Sequence, residues 1–253
     1  MKIVVIGGSG LIGSRLVGRL RQGGHFVVAA SPSTGVNTVT GDGLPEALEE
    51  AEVVIDVANS PSFDGAIAWD FFFASCHNLF AAESAAGVMH HMALSVVGTD
   101  QLLDSGYFRA KHLQEQLIEE SGVPYTILRA TQFFEFMGGI ASSSTQDQIV
   151  RLPPAFTQPV AADDVAETLA QLAVRPPANG RLELAGPQPY RLSDVVGRVL
   201  AVNHDERLVI SDPAATYFGV HIGERALVPA TVKPFIGAIG LDDWLARNRP
   251  QAA

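Results

Sequence analysis

Lys2-Ile3-Val4-Val5-Ile6-Gly7-Gly8-Ser9-Gly10-Leu11-Ile12-Gly13 follows the initial methionine, and its reading decides the fold. Lys2 and four β-branched apolar residues, Ile3 to Ile6, break at a glycine cluster, and apolar residues resume at helical spacing at Leu11, Leu16, Val17 and Leu20. The pattern predicts a strand, a glycine turn and a helix running to Gln22. In that arrangement Gly7 allows the tight turn, Gly10 lets the backbone approach a pyrophosphate, and Gly13 lets helix and strand pack closely. Free N–H groups at the positive end of a helix then hold the phosphates. Gly7, Ser9, Gly10, Leu11, Ile12 and Gly13 are therefore the expected dinucleotide contacts; a glycine turn that merely packs tightly is the alternative.

The rest of the composition agrees with one α/β unit. The chain has 253 residues, 47% hydrophobic and 17% charged, enough for a sizeable core. A net charge of −10 and a pI near 5.1 argue against nucleic acid or an anionic membrane as the main partner. The single cysteine, Cys76, lies in an apolar segment and reads as a buried thiol, with no disulfide framework. No apolar run approaches a membrane span, and no secretory leader is recognised, so the expected setting is the cytoplasm.

Outward from the opening stretch, Phe26 to Ala30 reads as a second strand, a short helix follows at Leu44 to Glu50, and Val53 to Val57 reads as a third strand. A long apolar helix is expected from Trp69 to Gly87, either buried or packed against a second subunit in a homo-oligomer. His90 to Val97 is the fourth strand, Tyr107 to Ser121 a helix and Tyr125 to Ala130 the fifth strand. Residues 1–150 form the expected dinucleotide-binding core. Residues 151–253 carry most of the prolines and shorter elements, with strands at 149–152, 181–185 and 208–210 and helices at 163–174, 193–202 and 241–247. They are expected to form a small substrate-side lobe entwined with the sheet rather than an independent domain.

Several positions on this frame face a ligand. After the second strand an acidic residue would hold a ribose 2′-hydroxyl and select NAD. Here Ser31-Pro32-Ser33-Thr34 carries none, so hydroxyls at Ser31, Ser33 and Thr34, with Arg15, favour NADP over NAD. Asp42 is read as lying near the adenine or as a turn residue. Ala58 and Asn59 follow the third strand and are placed near the nicotinamide ribose, with an Asn turn as the alternative for Asn59. His90 and His91 point to opposite strand faces, and no metal site is expected from them.

Tyr107 and Lys111 are four residues apart on one helix face, and Ser95 lies twelve residues upstream near a strand end. A hydride transfer to a carbonyl needs a proton for the developing alkoxide. A tyrosine supplies it if a nearby lysine lowers its pKa, and a serine hydroxyl polarises the substrate oxygen. The alternative is a surface pair at a helix start. Phe133, Phe134, Phe136 and Met137 follow the fifth strand, where ligands bind, and are expected to wall a partly apolar substrate pocket or to belong to the core.

The glycine turn, the strand with Ser95, Tyr107-Phe108-Arg109-Ala110-Lys111 and Leu128-Arg129-Ala130-Thr131-Gln132-Phe133 together resemble the short-chain dehydrogenase/reductase superfamily. The nearest likeness is to its atypical, NmrA-like branch, with Pro159 to Ala166 matching the motif that leads into a late helix. The resemblance implies a doubly wound parallel sheet (a Rossmann fold), a bound NAD(P), a Ser–Tyr–Lys set on Ser95, Tyr107 and Lys111, a ribose contact from Lys111 and a border to the nicotinamide and substrate at Thr131 to Phe133. Pro32 stands where NADP-binding relatives often have a basic residue. The expected activity is reduction of a carbonyl or quinone-type small molecule with Tyr107 as general acid. The alternatives are a dinucleotide-sensing regulatory protein without turnover and a nucleotide-sugar epimerase or dehydratase.

Overall fold

The strand, turn and helix read from the opening residues are present in the computed structural model, which describes residues 1–248: Lys2–Ile6 is β1 and Leu11–Gln22 is α1. The chain continues through β2 (Phe26–Ala30), α2 (Leu44–Leu48), β3 (Val53–Asp56), α3 (Gly65–Ala86), β4 (His90–Val96), α4 (Gly106–Glu120) and β5 (Tyr125–Ala130). It then forms α5 (Met137–Ser143), β6 (Thr145–Gln146), β7 (Ile149–Leu152), β8 (Phe156–Thr157), α6 (Ala162–Ala173) and β9 (Gly180–Ala185). The last elements are β10 (Tyr190–Arg191), α7 (Leu192–Val202), β11 (Leu208–Ser211), β12 (Phe235–Ile236) and α8 (Leu241–Arg247).

Seven strands make one parallel sheet in the order β12-β9-β5-β4-β3-β1-β2. Its central strands are buried on both faces, as their continuous apolar runs require. Leu16, Val17 and Leu20 of α1 join Val165, Leu169 and Leu172 of α6 against one face. Leu44 and Leu48 of α2 and Leu79 of α3 cover part of the other, beside Val4 and Val54. The strand order reverses between β1 and β3, and the crevice above the strand ends at that point is where open α/β sheets bind ligands.

The C-terminal third both completes the sheet and covers it. β9 pairs with β5, and β12 with β9, while β6, β7 and β11 form a separate three-stranded sheet and β8 and β10 a two-stranded one. The long helix α3 begins at Gly65 rather than Trp69, because Asp64 caps it: its carboxylate accepts the Ala66 and Ile67 N–H groups at 3.0 and 3.1 Å. Among the described residues no helix is long and apolar enough to cross a membrane.

Candidate active site

The glycine turn lies at one end of a cavity of about 840 Å³ that runs across the strand ends toward the C-terminal lobe. Gly7 has φ +76°, and a Cβ there would lie 2.9 Å from the Ala58 N. A Cβ on Gly13 would overlap the Gly7 carbonyl oxygen. The turn and α1 therefore touch backbone to backbone. Gly10 is the N-cap of α1 and offers no side-chain cap, and the first turn of the helix holds no acidic residue. The N–H groups of Leu11, Ile12 and Gly13 precede the first intrahelical bond, Ser14 N–H to Gly10 oxygen at 3.0 Å, and are left for an anion. Ser9, Gly10, Leu11 and Ile12 border the cavity, so the donor set fits a dinucleotide pyrophosphate.

At the adenosine side, part of the expectation is corrected. Thr34 Oγ1 donates to backbone oxygens of Ala29 and Ser31 and accepts the Ser31 N–H at 2.9 Å. Ser33 Oγ is 2.9 Å from Ser31 Oγ. These hydroxyls close the tight Pro32–Thr34 turn on itself, and only Ser31 and Pro32 of the loop border the cavity. Arg15 is turned to Asp163, 3.6 Å from its carboxylate. The loop thus lacks the hydroxyl cradle on which a preference for NADP was based, although it still carries no acid. Asp42 accepts from Thr40 Oγ1 at 2.6 Å within its own turn and does not border the cavity; Asn37, Thr38 and Val39 do.

Tyr107, Asn59, Ala58 and Lys111 all border the cavity. The Tyr107 hydroxyl donates to Asn59 Oδ1 at 2.9 Å. Burial pushes its pKa up to about 12, with Asn59 opposing, so Lys111 is not among the groups that shift it. Lys111 is 2% exposed, and its Nζ donates to Gln114 Oε1 at 2.7 Å and lies 4.7 Å from the Phe72 ring centre. Gln114 Nε2 in turn donates to Asp56 Oδ2 at 2.9 Å, and Asp56 Oδ1 accepts the Ala58 N–H. Burial holds the lysine below its ordinary pKa, while the negative charges of Asp56 and Glu115 oppose that.

Ser95 is not brought to Tyr107 by its side chain. Its Oγ donates to Glu115 Oε1 at 2.5 Å, and the same carboxylate receives Arg129 Nε at 2.9 Å and Nη2 at 2.6 Å. Ser95 borders the cavity, but its hydroxyl is taken by Glu115, about two turns further along α4 than Tyr107, and not by the tyrosine. His90 and His91 point to opposite faces of β4, His90 to Thr126 Oγ1 and His91 to Glu83 Oε1.

At the far end, Phe133 and Phe136 border the cavity, but Phe134 and Met137 do not. The 3₁₀ turn Phe134–Phe136 leads straight into α5, so residues three apart share a face. Phe134 and Met137 fall on the core side, Phe134 stacked on Trp244 with ring centres 5.4 Å apart. Thr131 borders the cavity, its hydroxyl donating to the Gln158 oxygen at 2.6 Å. The sequence did not point to Phe63, Tyr217 or Phe218, whereas Gln132 lies in the Thr131–Phe133 stretch that the resemblance puts beside the nicotinamide and substrate. Phe63 lies 4.9 Å from the Tyr107 ring and 5.2 Å from Phe218. Phe218 sits at φ 46° in the Tyr217-Phe218-Gly219 turn, a backbone conformation that the sequence alone does not announce.

A family model described as NAD(P)H-binding matches residues 7–176, which include the glycine turn, Tyr107, Lys111 and Thr131. The chain belongs to the NAD(P)H-binding family. Members of this oxidoreductase-type family carry NAD(P), and the cofactor class expected from the glycine turn holds. The chain is 26% identical over 214 residues to a photosystem II assembly factor, Ycf39, of Cyanophora paradoxa, covering 78% of this chain and 67% of that one. It is 28% identical over 223 residues to a (4-alkanoyl-5-oxo-2,5-dihydrofuran-3-yl)methyl phosphate reductase of Streptomyces griseus, covering 78% and 75%. MoeE5, solved with UDP-glucose and NAD, shares the fold with a TM-score of 0.74 at 19% identity over 97% and 96% of the two chains. A short-chain dehydrogenase/reductase superfamily protein of Agrobacterium tumefaciens with bound NAD does so at 0.71 and 17%, over 98% and 95%. The superfamily resemblance read from the sequence agrees with this family, and the NmrA-like branch is consistent with it.

Proposed function

We propose that this chain is an NAD(P)H-dependent reductase acting on a carbonyl or quinone-type group of a small uncharged molecule, with Tyr107 as proton donor. One observation carries the reading: the Tyr107 hydroxyl, bonded to Asn59 at 2.9 Å, opens into the same cavity as the glycine turn. Ser9 to Ile12 would hold the pyrophosphate, Asn37 to Val39 the adenosine half, and Ala58, Asn59, Thr131 and Lys111 the nicotinamide half. Bound NAD(P)H supplies the hydride. Tyr107, kept protonated by burial up to about pH 12, then gives its proton to the alkoxide oxygen, while Asn59 orients the hydroxyl. Lys111, whose Nζ is held by Gln114, would donate to the ribose. The substrate half is walled by Phe63, Phe136 and Phe218, and among the described residues no arginine borders the cavity, which favours an uncharged substrate over a nucleotide sugar.

Similarity to an assembly factor favours a second reading, a dinucleotide sensor that acts through a partner. One experiment separates them. NADPH and NADH binding is followed by nicotinamide fluorescence, and turnover at 340 nm with a panel of quinones and ketones. The reductase reading expects turnover that falls about 100-fold or more in Tyr107→Phe, with cofactor affinity unchanged. Cofactor binding without turnover of any panel member supports the sensor, and full activity in Tyr107→Phe removes Tyr107 as donor.

A further inference from the structure

A buried carboxylate and a buried amide stand behind the cavity without bordering it. Asp56 is the last residue of β3 and is 5% exposed, and Gln114 lies on α4 and is 1% exposed. Lys111, three residues before Gln114, shares its helix face and does border the cavity. The three form one chain. Lys111 Nζ donates to Gln114 Oε1 at 2.7 Å, Gln114 Nε2 donates to Asp56 Oδ2 at 2.9 Å, and Asp56 Oδ1 accepts the Ala58 N–H at 2.9 Å. Asn59, the next residue, holds the Tyr107 hydroxyl, and Tyr107 is about one turn before Lys111 on α4. The contacts thus close a ring from α4 through the end of β3 and back to α4.

The charged ends fix the direction of this chain. An ammonium only donates and an ionised carboxylate only accepts. The amide between them must therefore turn its oxygen to Lys111 and its nitrogen to Asp56. The bridge also explains how two opposite charges are buried without touching. Buried charges need compensating partners. A direct pair would draw the ammonium toward Asp56 and away from the cavity, whereas an interposed amide compensates it and leaves it at the border. The other buried carboxylate of this region, Glu115, is already occupied by Arg129 and Ser95.

Resting on the reading of Lys111, Ala58 and Asn59 as the nicotinamide half of the site, we propose that Asp56 and Gln114 are positioning residues for it. Their chain sets the Lys111 ammonium and the Ala58–Asn59 backbone at one spacing. The donor to the ribose and the residue that orients Tyr107 are thereby fixed as a unit. What the site requires is the direction of the chain, not a charge at position 56 as such.

The test is titration of the full chain with NADPH and with NADH, followed by nicotinamide fluorescence, with melting temperatures alongside. Lys111→Met should weaken binding about tenfold or more. Asp56→Asn keeps the shape and the bond to Ala58, but sets its new amide nitrogen against Gln114 Nε2, donor against donor. It should weaken binding about tenfold. Adding Gln114→Glu restores an acceptor facing both neighbours and returns the wild-type net charge. Asp56→Asn/Gln114→Glu should therefore bind within about threefold of wild type. In the Lys111→Met background Gln114 is free to turn over, so Asp56→Asn should have no further effect, which a general loosening of β3 would not reproduce. Gln114→Met cuts the chain in its middle and leaves the Asp56–Ala58 bond alone. It should match Asp56→Asn, and replaces it if that variant does not fold.

Unchanged affinity in Asp56→Asn and Gln114→Met, beside a loss in Lys111→Met, would overturn the positioning role and leave Lys111 as a ribose contact. So would an Asp56→Asn/Gln114→Glu chain that binds no better than Asp56→Asn, or losses from Asp56→Asn and Lys111→Met that add. Failure of both Asp56→Asn and Gln114→Met to fold, with the double variant folded, would mark the network as structural and overturn it too. Unchanged affinity in Lys111→Met would remove the reading of the nicotinamide half itself, and this proposal with it.

Discussion

Ser95 shows how one side chain's direction changes its role. Its hydroxyl helps satisfy the buried Glu115 carboxylate, which also holds Arg129 and lies 3.3 Å from Arg181. Ser95→Ala should therefore cost about 1–3 kcal/mol in a urea melt and leave kcat within about twofold, the reverse of what a substrate-polarising serine would give. His90 carries a second residue-scale consequence. Burial and the neighbouring His91 hold its imidazole down to about 4, against an ordinary 6.5. Between those values the unfolded chain binds more protons than the folded one, so His90 subtracts stability as pH falls from about 6.5 to 4 and has no effect above that window. The full loss is on the order of 3 kcal/mol. Urea midpoints at pH 7 and pH 4 should differ less in His90→Gln than in the wild type; equal differences would remove His90 as the source.

At the scale of elements, Tyr107 depends on how α3 meets α4. Gly65 opens α3 and Gly106 opens α4, and a Cβ on Gly65 would lie 2.6 Å from the Gly106 Cα. The two helices start backbone to backbone, one residue before the tyrosine. Gly65→Ala should push them apart, cost about 1–3 kcal/mol, and lower kcat at least tenfold while NADPH still binds, because the glycine turn lies elsewhere. Loss of cofactor affinity instead would show that the strain spreads into β3. The turn after β2 teaches the opposite lesson. Ser31, Ser33 and Thr34 are the right residue types for a phosphate, but the turn ties Thr34 to its own backbone and the Ser31 and Ser33 hydroxyls to each other.

For the whole molecule, the cavity is shared: the sheet supplies the end with the glycine turn, and the C-terminal third closes the other end with Tyr217 and Phe218. Because β9 and β12 extend the sheet, the lobe is tied to it by parallel pairing. Phe218→Ala should raise the substrate KM about tenfold through lost apolar burial and leave NADPH affinity unchanged, measured by steady-state kinetics and fluorescence titration. A matching fall in NADPH affinity would mean that the two halves are not separable in this way.

The sequence by itself determined the order of the elements, the glycine turn and the Tyr107–Lys111 face, because these rest on local rules. Apolar periodicity marks strands and helices, glycine alone fits Gly7 and Gly13, and four residues make about one helical turn. Only the tertiary structure decided where Ser95, Thr34, Phe134 and Met137 point, since each had two plausible faces and packing chose the other one. It also brought Phe63 and Tyr217 to the cavity from segments far apart in the chain. No local pattern announces such a meeting: a site built across a sheet edge and a covering lobe exists only once the long-range strand pairing has placed both.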